Sequence, residues 1–212
     1  KMQVSAFHAG LLGEIRNGEL KIGYDEVLEN LWSKMETSKE LVPVIPATLQ
    51  ATLRDYQVDG FRWIARLNNW GAGACLADDM GLGKTVQTIA YLLYKAAEGA
   101  SLVVAPASVI PNWRKELQKF APTLKAVVLN EADDRPAVLE TSGAYDVILS
   151  TYGLLVTEME ALTTKEWNVV CLDEAHTIKN RDTKTSGAAM RLQAASRFFL
   201  RVLPYKIIWV SY

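Results

Sequence analysis

The residues from Asp78 to Thr85 have the types and order needed to hold phosphate. They read Asp78, Asp79, Met80, Gly81, Leu82, Gly83, Lys84 and Thr85. They follow a short apolar run, Ala74 to Ala77, and precede a stretch of helical character from Thr85 to Ala97. Strand, glycine turn and helix in that order form the setting a phosphate-binding loop requires. Gly81 and Gly83 let backbone N–H groups turn inward around an anion, where side chains would block the approach. The helix N-terminus adds partial positive charge and unsatisfied donors. Lys84 has the charge and reach for β- and γ-phosphates, and Thr85 offers a hydroxyl to Mg2+. The general pattern G-x-x-x-x-G-K-S/T begins with glycine, and Asp78 stands in that place. The loop alone therefore also fits an ordinary helix start with Lys84 and Thr85 on the surface.

A second constellation lies downstream. The run Val169 to Leu172 is apolar and ends in two acids, Asp173 and Glu174. At the carboxyl end of a buried strand, Asp173 can point toward the phosphate loop and hold Mg2+ through water. Glu174 is then placed to orient and deprotonate an attacking water. Solvated acids at a strand end are the alternative, and the phosphate loop earlier in the chain argues against it.

The elements that must carry these residues are legible as alternating runs. Apolar segments at Ala74–Ala77, Leu102–Ala105, Ala126–Leu129, Val147–Leu149 and Val169–Leu172 read as strands buried on both faces. Helical spacing appears at Tyr56–Asn69, Thr85–Ala97, Asn112–Phe120 and Asp133–Glu140. Strands alternating with helices predict βαβ units, hence a three-layer αβα lobe around a mostly parallel sheet. Upstream, Tyr24 to Met35 has helical spacing, with Val27, Leu28, Leu31 and Met35 on one side. Pro43 and Pro46 break it off. The expected organisation is an N-terminal appendage and linker over 1–46, a main lobe over 47–200 and a separate tail over 201–212.

Bulk properties narrow the class. Half of the 212 residues are hydrophobic and 22% are charged, a composition for one good-sized core rather than a disordered chain. The net charge of −1 gives no global attraction to nucleic acid, so any such surface must be a local patch. Cys75 and Cys171 are the only cysteines, and each sits in an apolar run. Both are expected to be buried thiols of a reducing compartment. With His8 and His176 as the only histidines, no metal-binding spacing exists. No stretch is long and apolar enough to cross a membrane, and no signal peptide is visible after Lys1 and Met2. The abrupt start is expected of a piece cut from a longer protein.

Further segments carry a family resemblance. The string Leu76 to Thr85 resembles the first helicase motif of the Swi/Snf-type ATPases, within helicase superfamily two. That family places an acid at the position of Asp78. Leu53 to Ile64 resembles its leading adenine-recognition segment. Val103 to Glu116 resembles motif Ia, and Leu149 to Tyr152 resembles motif Ib. Asp173 to His176, with Ile178 to Asn180, resembles motif II and its extension. The likeness covers roughly residues 47–200, and ordered motifs are far more specific than any one of them.

The resemblance implies a RecA-like lobe that binds ATP with Mg2+ and tracks double-stranded DNA without reading sequence. It carries Gln57 onto the adenine, with Arg54 beside it, and an amide can both donate to and accept from the base edge. It implies catalytic roles for Lys84, Asp173 and Glu174, and metal-holding roles for Thr85 and Asp173. Ser108, Lys115, Thr151 and Lys179 are the candidates for phosphate contacts on DNA. His176 would link the nucleotide site to the DNA side. Trp113 reads as a packing residue rather than a base stacker.

The family continues after Leu200 into a Thr-Gly-Thr-Pro turn, motif III. Here Arg201 to Tyr212 contains no such turn, so this tail is expected to be foreign sequence. A second RecA-like lobe, which completes the family's ATP cleft and supplies an arginine finger, is the implied partner. Without it, hydrolysis is expected to be very weak. Two alternatives stand beside the translocase: a strand-separating helicase of superfamily two, and a non-catalytic nucleotide-binding module. The family implies a nuclear setting in eukaryotes or a nucleoid-associated cytoplasmic one in bacteria, and compact motif spacing favours the latter.

Overall fold

The computed structural model describes residues 26–77, 82–178 and 183–201. Helix α1 spans Glu26–Glu40 and α2 spans Asp55–Asn69. Strand β1 (Ala74–Ala77) is followed by α3 (Lys84–Tyr94), β2 (Ser101–Ala105), α4 (Ile110–Phe120) and β3 (Lys125–Val128). Then come α5 (Arg135–Thr141), β4 (Asp146–Thr151), α6 (Tyr152–Thr157), α7 (Met159–Thr164) and β5 (Glu166–Leu172). The described chain closes with α8 (Lys184–Arg191) and β6 (Gln193–Arg201).

All six strands pair in parallel, in the order β1-β6-β5-β2-β4-β3. The predicted three-layer RecA-like architecture is therefore present, with a fully parallel sheet. Helices α2, α3 and α4 cover one face, where Phe61, Ile64, Leu92 and Leu117 pack on Leu76, Val103 and Leu149. Helices α6, α7 and α8 cover the other, where Leu155, Leu162 and Ala188 pack on Leu102, Val104 and Val170. Every residue of β2 is buried, which is why it reads as an unbroken apolar run. Each of its larger side chains, Leu102, Val103 and Val104, contributes about 1.5–3 kcal/mol of transfer free energy when taken from water.

Local chemistry sets the element boundaries. The Gln57 side chain accepts the Arg54 backbone N–H at 2.9 Å, closing the first turn of α2. Asp134 accepts from the Ala137 N–H at 2.9 Å, so α5 starts after it rather than at Asp133. Pro111 fits the first turn of α4, which begins at Ile110, two residues before the expected Asn112. The helix expected to run to Ala97 ends at Tyr94, and a 3-10 turn over Ala96–Glu98 leads to Gly99.

Two expectations about burial need correction, both for the same reason. Cys171 is buried, but Cys75 is exposed. β1 is an edge strand, and the helices covering Cys75's side of the sheet stop short of it. Likewise β3 is the opposite edge, with Lys125 exposed and Ala126 and Val127 only half-buried, and Leu129 belongs to a 3-10 turn instead. Upstream, α1 docks on α2: Asn69 Nδ2 donates to Ser38 Oγ at 2.9 Å, and Arg66 Nε donates to the Leu41 carbonyl at 2.9 Å. Val27, Leu28 and Leu31 lie outside the described side chains, and Met35 is half-buried. β6 runs through Arg201, which pairs with Ala77, and the remaining tail lies outside the described residues.

Candidate functional site

A parallel sheet gathers the carboxyl ends of its strands on one edge, and loops there can cooperate. At this edge β1 leads into the glycine loop, β5 into Asp173, β2 into the turn bearing Ser108, and β4 ends at Thr151. The register aligns these ends: Ala105 pairs with Thr151, Val104 with Leu172 and Ala77 with Arg201.

Gly83 caps α3 with φ 75° and ψ 37°, a left-handed conformation that glycine adopts without penalty. A Cβ there would lie 2.3 Å from Gln57 Nε2. Gln57 is buried and lies across this turn, donating from Nε2 to the Leu82 carbonyl at 3.2 Å. The Tyr56 hydroxyl donates to the same carbonyl at 3.2 Å. The N-terminus of α2 thus clips the descending half of the loop. One acceptor lone pair and one N–H of the Gln57 amide remain beyond these bonds, enough for a two-point contact with a base edge. Asp78, Asp79, Met80 and Gly81 lie outside the described residues.

Lys84 and Thr85 open α3, and both are half-buried. Lys84 is near enough to Asp173 for its charge to favour the ionised carboxylate. Asp173 extends β5 by one rung, donating its N–H to the Val104 carbonyl at 2.8 Å. Its Oδ1 accepts the Glu174 N–H at 2.8 Å. Its Oδ2 accepts the indole N–H of Trp113 at 2.8 Å. Burial pushes the Asp173 carboxyl up from its ordinary range. The Trp113 and Glu174 donors oppose that rise, Glu174's charge adds to it, and Lys84 opposes it. Glu174 itself has φ 50°, an uncommon conformation for a side-chain-bearing residue, directly beside the carboxylate.

These residues fit a polyphosphate with a divalent cation. The glycine-started helix end offers donors, Lys84 supplies positive charge, and the Asp173 carboxylate retains lone pairs beyond its two bonds. Ser108 is exposed in the turn after β2. Thr151 accepts the Leu154 N–H at 3.1 Å as the cap of α6, and its hydroxyl proton is not consumed by that bond. Lys115 is exposed on α4, about 8 Å along the axis from its first residue. The structure therefore does not bring it to the edge itself. Lys179 and the side chain of His176 lie outside the described part, as does the side chain of Arg201. Arg54 is exposed at the start of α2, where its N–H donates to Gln57 Oε1 and its carbonyl accepts the N–H groups of Gln57 at 2.8 Å and Val58 at 3.0 Å.

The sequence reading of Trp113 as a packing residue captures its full burial and misses its bond. A signal existed: a buried indole N–H has to find an acceptor. Tyr152 escaped notice as well. Its hydroxyl donates to the Asp173 carbonyl at 2.7 Å.

Comparison with known proteins agrees with this geometry. A model of the SNF2-related domain family matches residues 56–204. The Bacillus subtilis (strain 168) protein named "Putative ATP-dependent helicase/translocase YwqA" is 43% identical over 167 residues, covering 76% of this chain and 18% of that protein. The Arabidopsis thaliana "ISWI chromatin-remodeling complex ATPase CHR17" is 39% identical over 155 residues, covering 69% of this chain and 14% of that protein. The chain thus spans less than a fifth of either relative. The solved "Sulfolobus solfataricus SWI2/SNF2 ATPase core in complex with dsDNA" superposes with a TM-score of 0.69 at 41% identity, covering 77% of this chain and 35% of that one. The acid at the head of the loop, the DEAH strand end and the ordered segments between them thereby find one explanation: the chain belongs to the SNF2-related domain family, as the first RecA-like lobe of a Swi/Snf-type ATPase.

Proposed function

We propose that this chain is the ATP-binding half of a motor that moves along duplex DNA and remodels protein–DNA complexes. The observation that carries the reading is the shared carboxyl edge. On it Lys84 and Asp173 approach closely enough to couple electrostatically, while Ser108 and Thr151 lie at the ends of the adjacent strands β2 and β4. The three similar proteins named above support it: one is named a helicase/translocase, one a chromatin-remodeling complex ATPase, and one is solved in complex with dsDNA.

Bound ATP with Mg2+ supplies the cleavable phosphoanhydride and neutralises its developing charge. Lys84, with the first-turn N–H groups of α3, binds the phosphates. Asp78, Asp79, Met80, Gly81, Leu82 and Gly83 belong to the same phosphate site, Gln57 and Arg54 recognise the base, and Thr85 and Asp173 would hold the cation. Glu174 orients a water and accepts its proton. Ser108, Thr151 and Lys179 contact DNA phosphates, which requires no base reading, whereas Lys115 is set back along α4 from that edge. The second lobe of the same motor closes over the nucleotide.

Titration of a fluorescent ATP analogue with Mg2+ into this chain and into Lys84→Ala tests the reading. Saturable binding that the substitution abolishes is the expected result. Binding that Lys84→Ala leaves intact, or no binding by the unsubstituted chain, would overturn it. In a protein carrying both lobes, Glu174→Gln is expected to stop hydrolysis and keep nucleotide binding.

A further inference from the structure

Asp173 is held from two sides by aromatic residues that belong to separate helices. Trp113 on α4 donates its indole N–H to Oδ2 at 2.8 Å, and Tyr152 at the start of α6 donates its hydroxyl to the Asp173 carbonyl at 2.7 Å. Both donors are buried, Trp113 completely. The Glu174 N–H takes Oδ1, so the carboxylate is gripped at each oxygen and its own backbone is pinned.

Plain satisfaction of a buried indole does not require a carboxylate. Trp167, equally enclosed, donates to the Leu162 backbone carbonyl at 2.9 Å. Trp113 instead uses the strand-end acid, in a charge-assisted bond about twice as strong as a neutral one. Its rigid bicycle fixes the plane of the carboxylate, and Tyr152 fixes the height of the strand end. The remaining lone pairs of Oδ1 and Oδ2 are left in one orientation. The helices that bear the two donors start at the turn of Ser108 and the cap Thr151, so the grip is anchored on the DNA-facing side of the sheet edge.

We infer that Trp113 and Tyr152 are positioning residues that set the orientation of Asp173 for its cation. This rests on the reading of Asp173 as a Mg2+-holding residue. Outer partners of metal-holding groups are worth about 10–100-fold in metal affinity or activity when removed.

The test has two parts. In the 15N-labelled chain, the Trp113 indole resonance is identified among six tryptophans by its loss in Trp113→Phe. It should lie downfield as an N–H bonded to a carboxylate, move upfield in Asp173→Asn, and shift in Tyr152→Phe, which removes one oxygen and keeps the ring. A resonance unmoved by Asp173→Asn or by Tyr152→Phe would overturn the inference, whether or not the chain binds nucleotide. In a protein carrying both lobes, Trp113→Phe and Tyr152→Phe should each raise the Mg2+ concentration for half-maximal hydrolysis about tenfold or more. Metal-free affinity for the ATP analogue should stay at the unsubstituted level, as a merely destabilised fold would not allow. An unchanged Mg2+ requirement would overturn the positioning role. A two-lobed protein that hydrolyses no ATP would instead refute the proposed function, and the indole resonance alone would then decide the grip on Asp173.

Discussion

Gly83 and Asp173 bear on the site through backbone conformation and charge. Any side chain at Gly83 must adopt the left-handed region and also displace Gln57, whose Nε2 would be 2.3 Å from the new Cβ. Gly83→Ala should cost about 1–2 kcal/mol from conformation alone. Urea unfolding should show that loss, and a Gln57→Ala background should recover the part that comes from the clash. Asp173 makes a pH prediction. Its carboxyl is raised by burial, so the folded chain binds this proton more tightly than the unfolded one. Stability from this group is then greatest in acid and falls as pH climbs from the unfolded value of 3.8 through the raised folded one. Subtracting the pH profile of Asp173→Asn from that of the unsubstituted chain should leave a difference that declines with rising pH. A difference that is flat or climbs would contradict the burial account.

Element by element, the site is held by caps and helix contacts rather than by the loops themselves. Thr151 ends β4 and caps α6, so the same side chain shapes the candidate DNA edge and starts the helix that bears Tyr152. Thr151→Ala should cost about 1 kcal/mol, with Thr151→Ser close to unsubstituted, as measured by thermal unfolding. Behind the Gly83 turn, α3 packs tightly on α2. A Cβ at Gly60 would lie 2.0 Å from Gln87 Oε1, while Gln87 Nε2 donates to the Gly83 carbonyl at 3.3 Å. Farther along α3, the buried Tyr91 hydroxyl donates to Ser196 Oγ on β6 at 3.0 Å, and its ring meets Phe198 edge-on at 5.6 Å. Burial pushes this phenol far above its ordinary value, so it stays a neutral donor at all working pH. Tyr91→Phe should cost about 1 kcal/mol, because Ser196 loses its partner.

The whole molecule makes two further predictions. Cys75 on the edge strand is exposed, and Cys171 is buried with its thiol pushed well up by burial. One thiol should therefore react with a thiol reagent in the native chain, and both in denaturant. Two reactive thiols in the native state would mean that β5 opens. The second concerns catalysis. An arginine finger is worth on the order of 10³–10⁵ in rate in other phosphoryl-transfer systems. This lobe by itself should accordingly show no steady hydrolysis stimulated by DNA, and observing it would refute the need for a second lobe.

The sequence by itself determined the glycine turn that opens α3, the acidic strand end and the interior strands. Each is a local pattern: glycines before a lysine, acids after an apolar run, and unbroken hydrophobics where both faces are covered, as in β2. The short helices α6 and α7 and the strand β6 escaped because brief or mixed runs carry little periodic signal. Only the tertiary structure decided which strands lie at the edges, and with that the exposure of Cys75 and the partial burial of β3. It also decided that Trp113, 60 residues away in the chain, meets Asp173. A periodic pattern encodes how deeply a residue is buried and on which face. The identity of its neighbour follows from strand order, which is fixed by pairings between segments far apart in the chain.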